Sequence, residues 1–273
     1  MFRRISVITT LVIVLILIVI LVFFFKRSKN SVVIDKTGGT VSVSALLNKA
    51  KDLQSKGDLL SLKNVYQQLV SDFPSSNEVM NWQKRIDDLN IKLLFSSTIT
   101  PNSKFYEIKP GDTLAKIARE FKTTPDLIKV SNNLSGDTII PGRKIKVWTK
   151  PFSILVDKSQ NILILKSDEE IIKTYIVSTG KDNSTPVGSF KINSKLVNPT
   201  WYKSGAVVPP GSPENVLGSR WLGINLPSYG LHGTTEPQKL GQQVTQGCVR
   251  LSNTDVEELY TIVPLGTEVI IVD

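Results

Sequence analysis

The sequence predicts a multidomain chain: a transmembrane helix, a short α-helical spacer, a compact βααβ module, and a mostly β sandwich with one helix. Three observations carry this reading. Ile5 to Phe25 is a run of 21 residues without a charge. Residues 44–95 place apolar side chains at helical spacing. From residue 151 onward, short β-branched runs alternate with polar turns, which favours antiparallel strands over βαβ units. A length of 273 residues accommodates about two domains of roughly 150 residues, or more where modules are small.

Composition narrows the function classes. Hydrophobic residues make up 41% and charged residues 21%, as in a folded protein. The single cysteine excludes an intrachain disulfide and a disulfide-stapled scaffold. One histidine and one cysteine cannot build a zinc tetrad, so no metal is expected, and no other cofactor. The net charge of +9 is uneven: residues 1–150 carry 23 Lys and Arg against 12 Asp and Glu, and residues 151–273 carry 10 against 12. A basic first half suits anionic membrane or wall surfaces, or is ordinary solvated lysine. Nucleic acid is not expected as a partner, because the lysines are dispersed and not interleaved with aromatics.

Residues 1–30 read as a membrane anchor. The uncharged run would make a helix about 32 Å long, enough to cross the hydrocarbon layer. A cleaved signal peptide is the rival reading. Its apolar core is shorter, about 7–15 residues, and ends at small residues; this run ends in Phe23, Phe24 and Phe25. Arg3 and Arg4 flank one end and Lys26, Arg27 and Lys29 the other, so the positive-inside rule leans weakly against export.

Residues 44–95 form the spacer. Leu46, Ala50 and Leu53 mark one stripe; Leu59, Leu62, Tyr66 and Leu69 mark a second; Trp82, Ile86, Leu89 and Leu93 mark a third. Gly57-Asp58 breaks the first two and Pro74 stops the second. The spacing of Gly57, Leu62, Tyr66 and Pro74 resembles one tetratricopeptide-like repeat. Repeats normally share a core over about three copies, so a spacer with no known protein partner is the plainer reading. "SSTITPNS" (96–103) reads as a linker.

In 104–148, Tyr106 and Ile108 alternate as a strand, and Asp112 or Thr113 caps a helix bearing Leu114, Ile117, Ala118 and Phe121. Thr124-Pro125 opens a second helix with Leu127, Ile128 and Val130, and "IIPGRKIKVW" supplies a turn and closing strand. "YEIKPGDTLAKIAREF", "LIKVSNNL" and "IIPGRKIKV" together resemble a LysM domain across the whole module. The resemblance implies binding to N-acetylglucosamine-containing glycans such as peptidoglycan. It places Gly111, Asp112, Thr113 and Leu114 on one side of a groove and Ile139, Ile140 and Pro141 on the other.

The remaining 151–273 contains the only cysteine, Cys248, and, sixteen residues before it, the only histidine, His232. A free thiol has a pKa of about 8.5, so near neutral pH it needs a base. A neighbouring imidazole takes the proton and holds the thiolate as an ion pair. The thiolate then attacks a carbonyl, and backbone N–H groups hold the oxyanion. Gly247 permits close approach of backbone and substrate, and Arg250 offers a cation for a carboxylate. Thr254 and Glu257 suggest a capping box for the one helix, and Pro264-Leu265-Gly266 its end. "STGK" at 178–181 fits Ser-x-x-Lys without the partner motifs Ser-Asp-Asn and Lys-Thr-Gly, and reads as a strand end and turn. The run 209–213 reads as a loop bordering the cleft.

"LHGTTEPQKLGQQVTQGCVRLSN", with upstream "VSTG", "STPVGSF" and "VPPGSPENVLGSRWLGI", resembles the YkuD-type L,D-transpeptidase family over nearly all of 151–273. The resemblance implies Cys248 as nucleophile and His232 as base. A backbone carbonyl at Gly233 would orient the imidazole, and the N–H groups of Gly247 and Cys248 would form the oxyanion hole. Arg250, Gln246 and Trp221 fall on the substrate side. Gln246 stands where many members carry a second histidine. The implied reaction cleaves the bond between residue three and D-alanine of a tetrapeptide stem and joins two stems in a 3→3 cross-link of the cell wall. Water or a lipoprotein lysine as acceptor would instead give an L,D-carboxypeptidase or a wall-anchoring enzyme, and without catalysis the chain would be a wall tether. That substrate places the C-terminal bulk in the cell envelope, on the periplasmic or extracellular side of a single-pass protein.

Overall fold

The computed structural model describes residues 42–203 and 205–273, and the expected anchor of 1–30 lies outside them. Leu47–Asp273 forms one compact unit, and it holds the elements that position the site. Among the described residues no helix is long and apolar enough to cross a membrane.

Three helices come first: α1 (Val43–Lys56), α2 (Leu59–Asp72) and α3 (Val79–Phe95). Asp58 caps α2 by accepting the Ser61 N–H at 3.0 Å, satisfying one of the orphan donors of the first turn. The sequence stripes largely hold, with Ala50, Leu62, Leu69, Trp82, Ile86, Leu89 and Leu93 buried; Val65, rather than Tyr66, is the buried residue at the centre of α2.

The βααβ module is β1 (Ser103–Glu107), α4 (Leu114–Glu120), α5 (Pro125–Ser131) and β2 (Lys144–Trp148), with β1 and β2 antiparallel. Thr113 is the cap of α4, accepting from Lys116 N–H at 3.2 Å. Asp112 instead accepts from Lys109 N–H and the Tyr106 hydroxyl, at 2.8 and 2.9 Å. Thr124 caps α5 as expected.

The sandwich contains β3 (Phe152–Asp157), β4 (Ile162–Ser167), β5 (Glu170–Ile176), β6 (Thr179–Gly180), β7 (Gly188–Val197), β8 (Trp201–Lys203), β9 (Ala206–Val208), β10 (Arg220–Ile224), β11 (Gly230–His232), β12 (Gln243–Thr245), β13 (Val249–Arg250), α6 (Asn253–Ile262) and β14 (Glu268–Val272). Eight strands form one sheet in the order β13-β11-β10-β7-β14-β3-β4-β5. The long strand β7 serves both halves: Gly188–Lys191 pairs with β14, and Ile192–Val197 with β10. The two halves share one core that includes Val156 and Leu163 from one side and Leu222, Leu231 and Val249 from the other. A single strand shared between two halves is one way to turn the corner of a sandwich. The sheet is mixed rather than antiparallel throughout, because β14 runs parallel to β3 and β11 parallel to β13. The chain loops and α6 that intervene supply the crossovers parallel pairs require.

Three expectations are corrected here. The helix α6 starts at Asn253, with Ser252 as its cap, accepting from Asp255 N–H at 3.0 Å. The reciprocal pair is therefore Ser252 and Asp255, not Thr254 and Glu257. The segment 96–103 is not a free linker. Ser96 O accepts from Lys146 Nζ at 2.7 Å, Thr100 N–H donates to Ser103 Oγ at 2.8 Å, and Thr149 N–H donates to Asn102 O at 2.9 Å. Nor is α3 only a spacer. Its Ile91 and Leu94 join the sandwich core, together with Leu127 and Trp148 of the βααβ module.

Candidate active site

Strand pairing places the sole thiol and the sole imidazole together. His232 closes β11, Cys248 immediately precedes β13, and the two strands are parallel with Leu231 opposite Val249 and His232 opposite Arg250. Leu231 and Val249 point into the core. Side chains alternate along a strand, so His232, Cys248 and Arg250 share the opposite face. On the same face Trp221 of β10 sits opposite His232, and its ring stacks on the imidazole with centroids 5.9 Å apart and planes 19° apart. Gly223 and Gly230, paired across β10 and β11, lie under the indole. A Cβ at Gly230 would come within 2.7 Å of Trp221 Cζ2, and one at Gly223 within 2.8 Å of its Nε1.

The turn before the thiol is shaped by a glycine whose site has no room for a Cβ. Gly247 has φ +129°, and a Cβ there would lie 2.6 Å from Tyr229 Cε1 and 3.1 Å from Ser184 O. Thr245 shapes the same turn: its hydroxyl accepts from Gly247 N–H at 3.2 Å and donates to Cys248 O at 2.6 Å. The Gly247 N–H expected in the oxyanion hole is thus engaged before substrate arrives. Cys248 Sγ lies 3.5 Å from Ser228 O, its hydrogen-bond acceptor. Loop 180–185 borders the turn, held by Lys158, whose buried Nζ donates to Thr185 O at 2.8 Å and pairs with Asp273 at 2.9 Å.

His232 is buried, with Nδ1 2.7 Å from Gly233 O. A carbonyl only accepts, so Nδ1 carries the hydrogen and Nε2 keeps a free lone pair. This is the orienting role expected of Gly233. Burial lowers the imidazole pKa to about 4, against the favourable carbonyls of Gly233 and Leu217 and with a further push from the Arg250 charge. Burial also raises the Cys248 thiol above its ordinary value, opposed by a Gly230 backbone hydrogen bond and by Arg250. Desolvation thus disfavours both charged forms and works against the expected ion pair.

Arg250 is also placed differently. It is buried, its Nη1 is 3.2 Å from Glu236 Oε2, and its Nε has no protein partner. Its charge is partly met within the protein and acts on the thiol and imidazole from the side. Gln246 is exposed beside the turn. Ser178 of "STGK" is buried with its hydroxyl on Lys239 O at 2.7 Å, so that stretch is a strand end as expected.

The sequence reading assigned no role to Thr245, Ser228 or Asn253. Thr245 and Asn253 flank the cysteine within the quoted motif, and the need to bind loop backbone was their only signal. Ser228 has φ +68°, which sequence does not disclose.

In the βααβ module the β1–β2 pairing continues one step beyond the strands: Gly142 N–H donates to Ile108 O at 2.8 Å and Ile108 N–H to Arg143 O at 3.0 Å. Gly111, Thr113, Ile140 and Pro141 are exposed, and Asp112 and Ile139 are partly so. Leu114 is buried in the module core with Ile117 and Ile128. Its side chain is a core residue and not a groove contact, because it is the first apolar position of α4.

Comparison with known proteins follows these boundaries. Residues 151–271 match the YkuD family, described as the L,D-transpeptidase catalytic domain, and 106–148 match the LysM domain. Two proteins bearing the name "Putative L,D-transpeptidase YkuD" are similar. That of Bacillus licheniformis is 36% identical over 172 residues, 60% of this chain and 96% of its own length. That of Bacillus subtilis is 35% identical over 174 residues, 61% of this chain and 97% of its own length. Likeness that spans almost the whole of both relatives extends well beyond the motif around the thiol: the chain belongs to the YkuD-type L,D-transpeptidase family.

Proposed function

We propose that this L,D-transpeptidase forms 3→3 cross-links between peptidoglycan stems, working in the cell envelope from a membrane anchor in residues 1–30. The observation that carries the chemistry is the placement of His232 and Cys248 on one face of adjoining strands, with Nδ1 committed to Gly233 O.

Cys248 Sγ attacks the carbonyl between residue three, a diamino acid, and the D-alanine at position four. The thiol proton passes to His232 Nε2 as the sulfur–carbon bond forms. Because desolvation disfavours both charged forms, this transfer accompanies attack rather than preceding it. The oxyanion takes the N–H of Cys248 and that of Gly247, released from the Thr245 hydroxyl. His232 then returns the proton to the departing D-alanine amine, leaving a thioester. An amine of a second stem attacks the thioester, forms the new peptide bond and restores the thiol. Arg250 favours the developing thiolate, and Trp221 and Gln246 flank the stem. Gly111, Asp112, Thr113, Ile139, Ile140 and Pro141 contact the glycan, raising the local concentration of stems at the thiol. The uncharged run of 21 residues supports the anchor.

Incubation of the protein with tetrapeptide muropeptides, followed by mass spectrometry, tests the reading. Cross-linked dimers are expected. Tripeptides alone would mean hydrolysis, transfer to a lysine peptide added in a parallel reaction would mean wall anchoring, and unchanged muropeptides would mean a tether. Cys248→Ala should bind insoluble peptidoglycan as the parent does and transfer nothing.

A further inference from the structure

We infer that Asn253 is a positioning residue for the base: it holds the Gly233–Thr234 peptide, and through that peptide the His232 tautomer. Asn253 Oδ1 accepts from Thr234 N–H and from Ser219 N–H, each at 3.1 Å, and Nδ2 donates to Thr234 O at 3.0 Å. The Thr234 N–H and the Gly233 carbonyl belong to one planar peptide unit. Fixing the first fixes the second, and the second is the acceptor 2.7 Å from His232 Nδ1.

The local sequence makes room for this side chain. A Cβ on Gly218 or on Gly233 would each lie 2.2 Å from Asn253 Oδ1. Gly218 follows Leu217, whose carbonyl also favours a protonated ring nitrogen on His232. The same amide oxygen therefore holds the Gly218–Ser219 peptide beside the Gly233–Thr234 peptide. Asn253 itself is held at the first turn of α6, directly after the Ser252 cap. Two ion pairs lie on the neighbouring elements, Arg250 with Glu236, 3.2 Å apart, and Arg220 with Glu257, 3.7 Å apart.

This inference rests on His232 serving Cys248, and its first test needs no substrate. The chain has one histidine, so the ring nitrogens of 15N-labelled protein give a single pair of NMR signals. At neutral pH the parent should show a protonated Nδ1 and an unprotonated Nε2. Asn253→Ala should average the two signals and lower the rate of acyl transfer at saturating muropeptide by about tenfold or more, part of the roughly 10²–10⁴-fold worth of an acid–base group, with KM little changed. Asn253→Asp keeps an acceptor for both N–H groups and should restore the parental Nδ1–H pattern. Parental ring signals in folded Asn253→Ala would overturn the inference. Should that variant not fold, averaged signals in Asn253→Asp would overturn it instead. A parent protein that shows the expected tautomer but forms no cross-link would indict the proposed reaction and leave the role of Asn253 standing.

Discussion

The two edges of the eight-stranded sheet are covered by different means. At one edge, β13 follows Cys248 and shares its outer face with His232 and Arg250. At the other, β5 is sealed. Asp87 of α3 accepts the Thr174 N–H at 3.0 Å, and Asn90 donates to Ile171 O and Ile172 O at 3.2 and 2.9 Å. An open edge offers unpaired backbone groups to other chains, and side chains from a helix here stand in for the missing strand. The difference teaches that residues near the chain start, which read as a spacer, belong to the fold of the enzyme. The edge beside the thiol is covered by backbone, Arg250 and Ser178 exchanging N–H···O bonds at 2.8 Å each, and the far edge by side chains.

The sharpest way to break the contrast acts on the edge that carries the thiol. His232→Gln removes the base and should lower acyl transfer by roughly 10²–10⁴-fold, measured as dimer formation, while urea denaturation shows a fold at least as stable as the parent. Alkylation of Cys248 by iodoacetamide in the parent should rise with pH without a plateau near neutrality, because burial holds the thiol above its ordinary value. A neutral plateau would mean a resting ion pair.

Acid should reach the same edge through stability. His232 titrates at about 4 in the fold against 6.5 unfolded, so the unfolded chain binds the proton first as pH falls. The stabilisation is complete above 6.5 and is lost between about 6.5 and 4, for a loss of roughly 3 kcal/mol. In His232→Gln that part of the pH dependence should vanish from the denaturation curves.

On the sealed edge, Asn90→Ala should cost about 1–3 kcal/mol, since it leaves two carbonyls without their donor, and should leave the activity per folded molecule unchanged. Loss of activity without loss of stability would mean that α3 reaches the site by some other route. Lys146→Met is the analogous test of the βααβ module. Its Nζ donates to Leu93 O and Ser96 O at 2.6 and 2.7 Å, ending α3 where free carbonyls need partners; a cost at the lower end of the same range is expected.

What the sequence disclosed follows the same division. Cys248 and His232 were legible because each residue type occurs once, and β3 to β5 because their alternation has period two. The helical stripes were legible for the same reason, at a period of 3.6. The contacts of Asp87 and Asn90 were not, because they join groups more than 80 residues apart and either residue reads as solvated on a helix. Parallel pairing of β11 with β13 was hidden too, since two- and three-residue strands carry no periodicity. Arg250 read as a free cation, because nothing in the spacing tells that Glu236 folds back onto it. The protonation state of the site depends on burial, which spacing alone does not give.

The smallest expected effect lies on the sealed edge as well. Glu170, at the start of β5, takes Lys63 of α2 on one carboxylate oxygen and Asn102 on the other at 2.7 Å. Its side chain is 34% exposed, so solvent screens the pair and the ion pair is worth less than about 1 kcal/mol. Glu170→Gln preserves the shape and removes the charge. The midpoint of urea unfolding should drop slightly in dilute buffer, and the gap to the parent should close at about 1 M salt, where screening acts over roughly 3 Å. If the gap persists at high salt, the hydrogen bonds rather than the charge fasten α2 to β5.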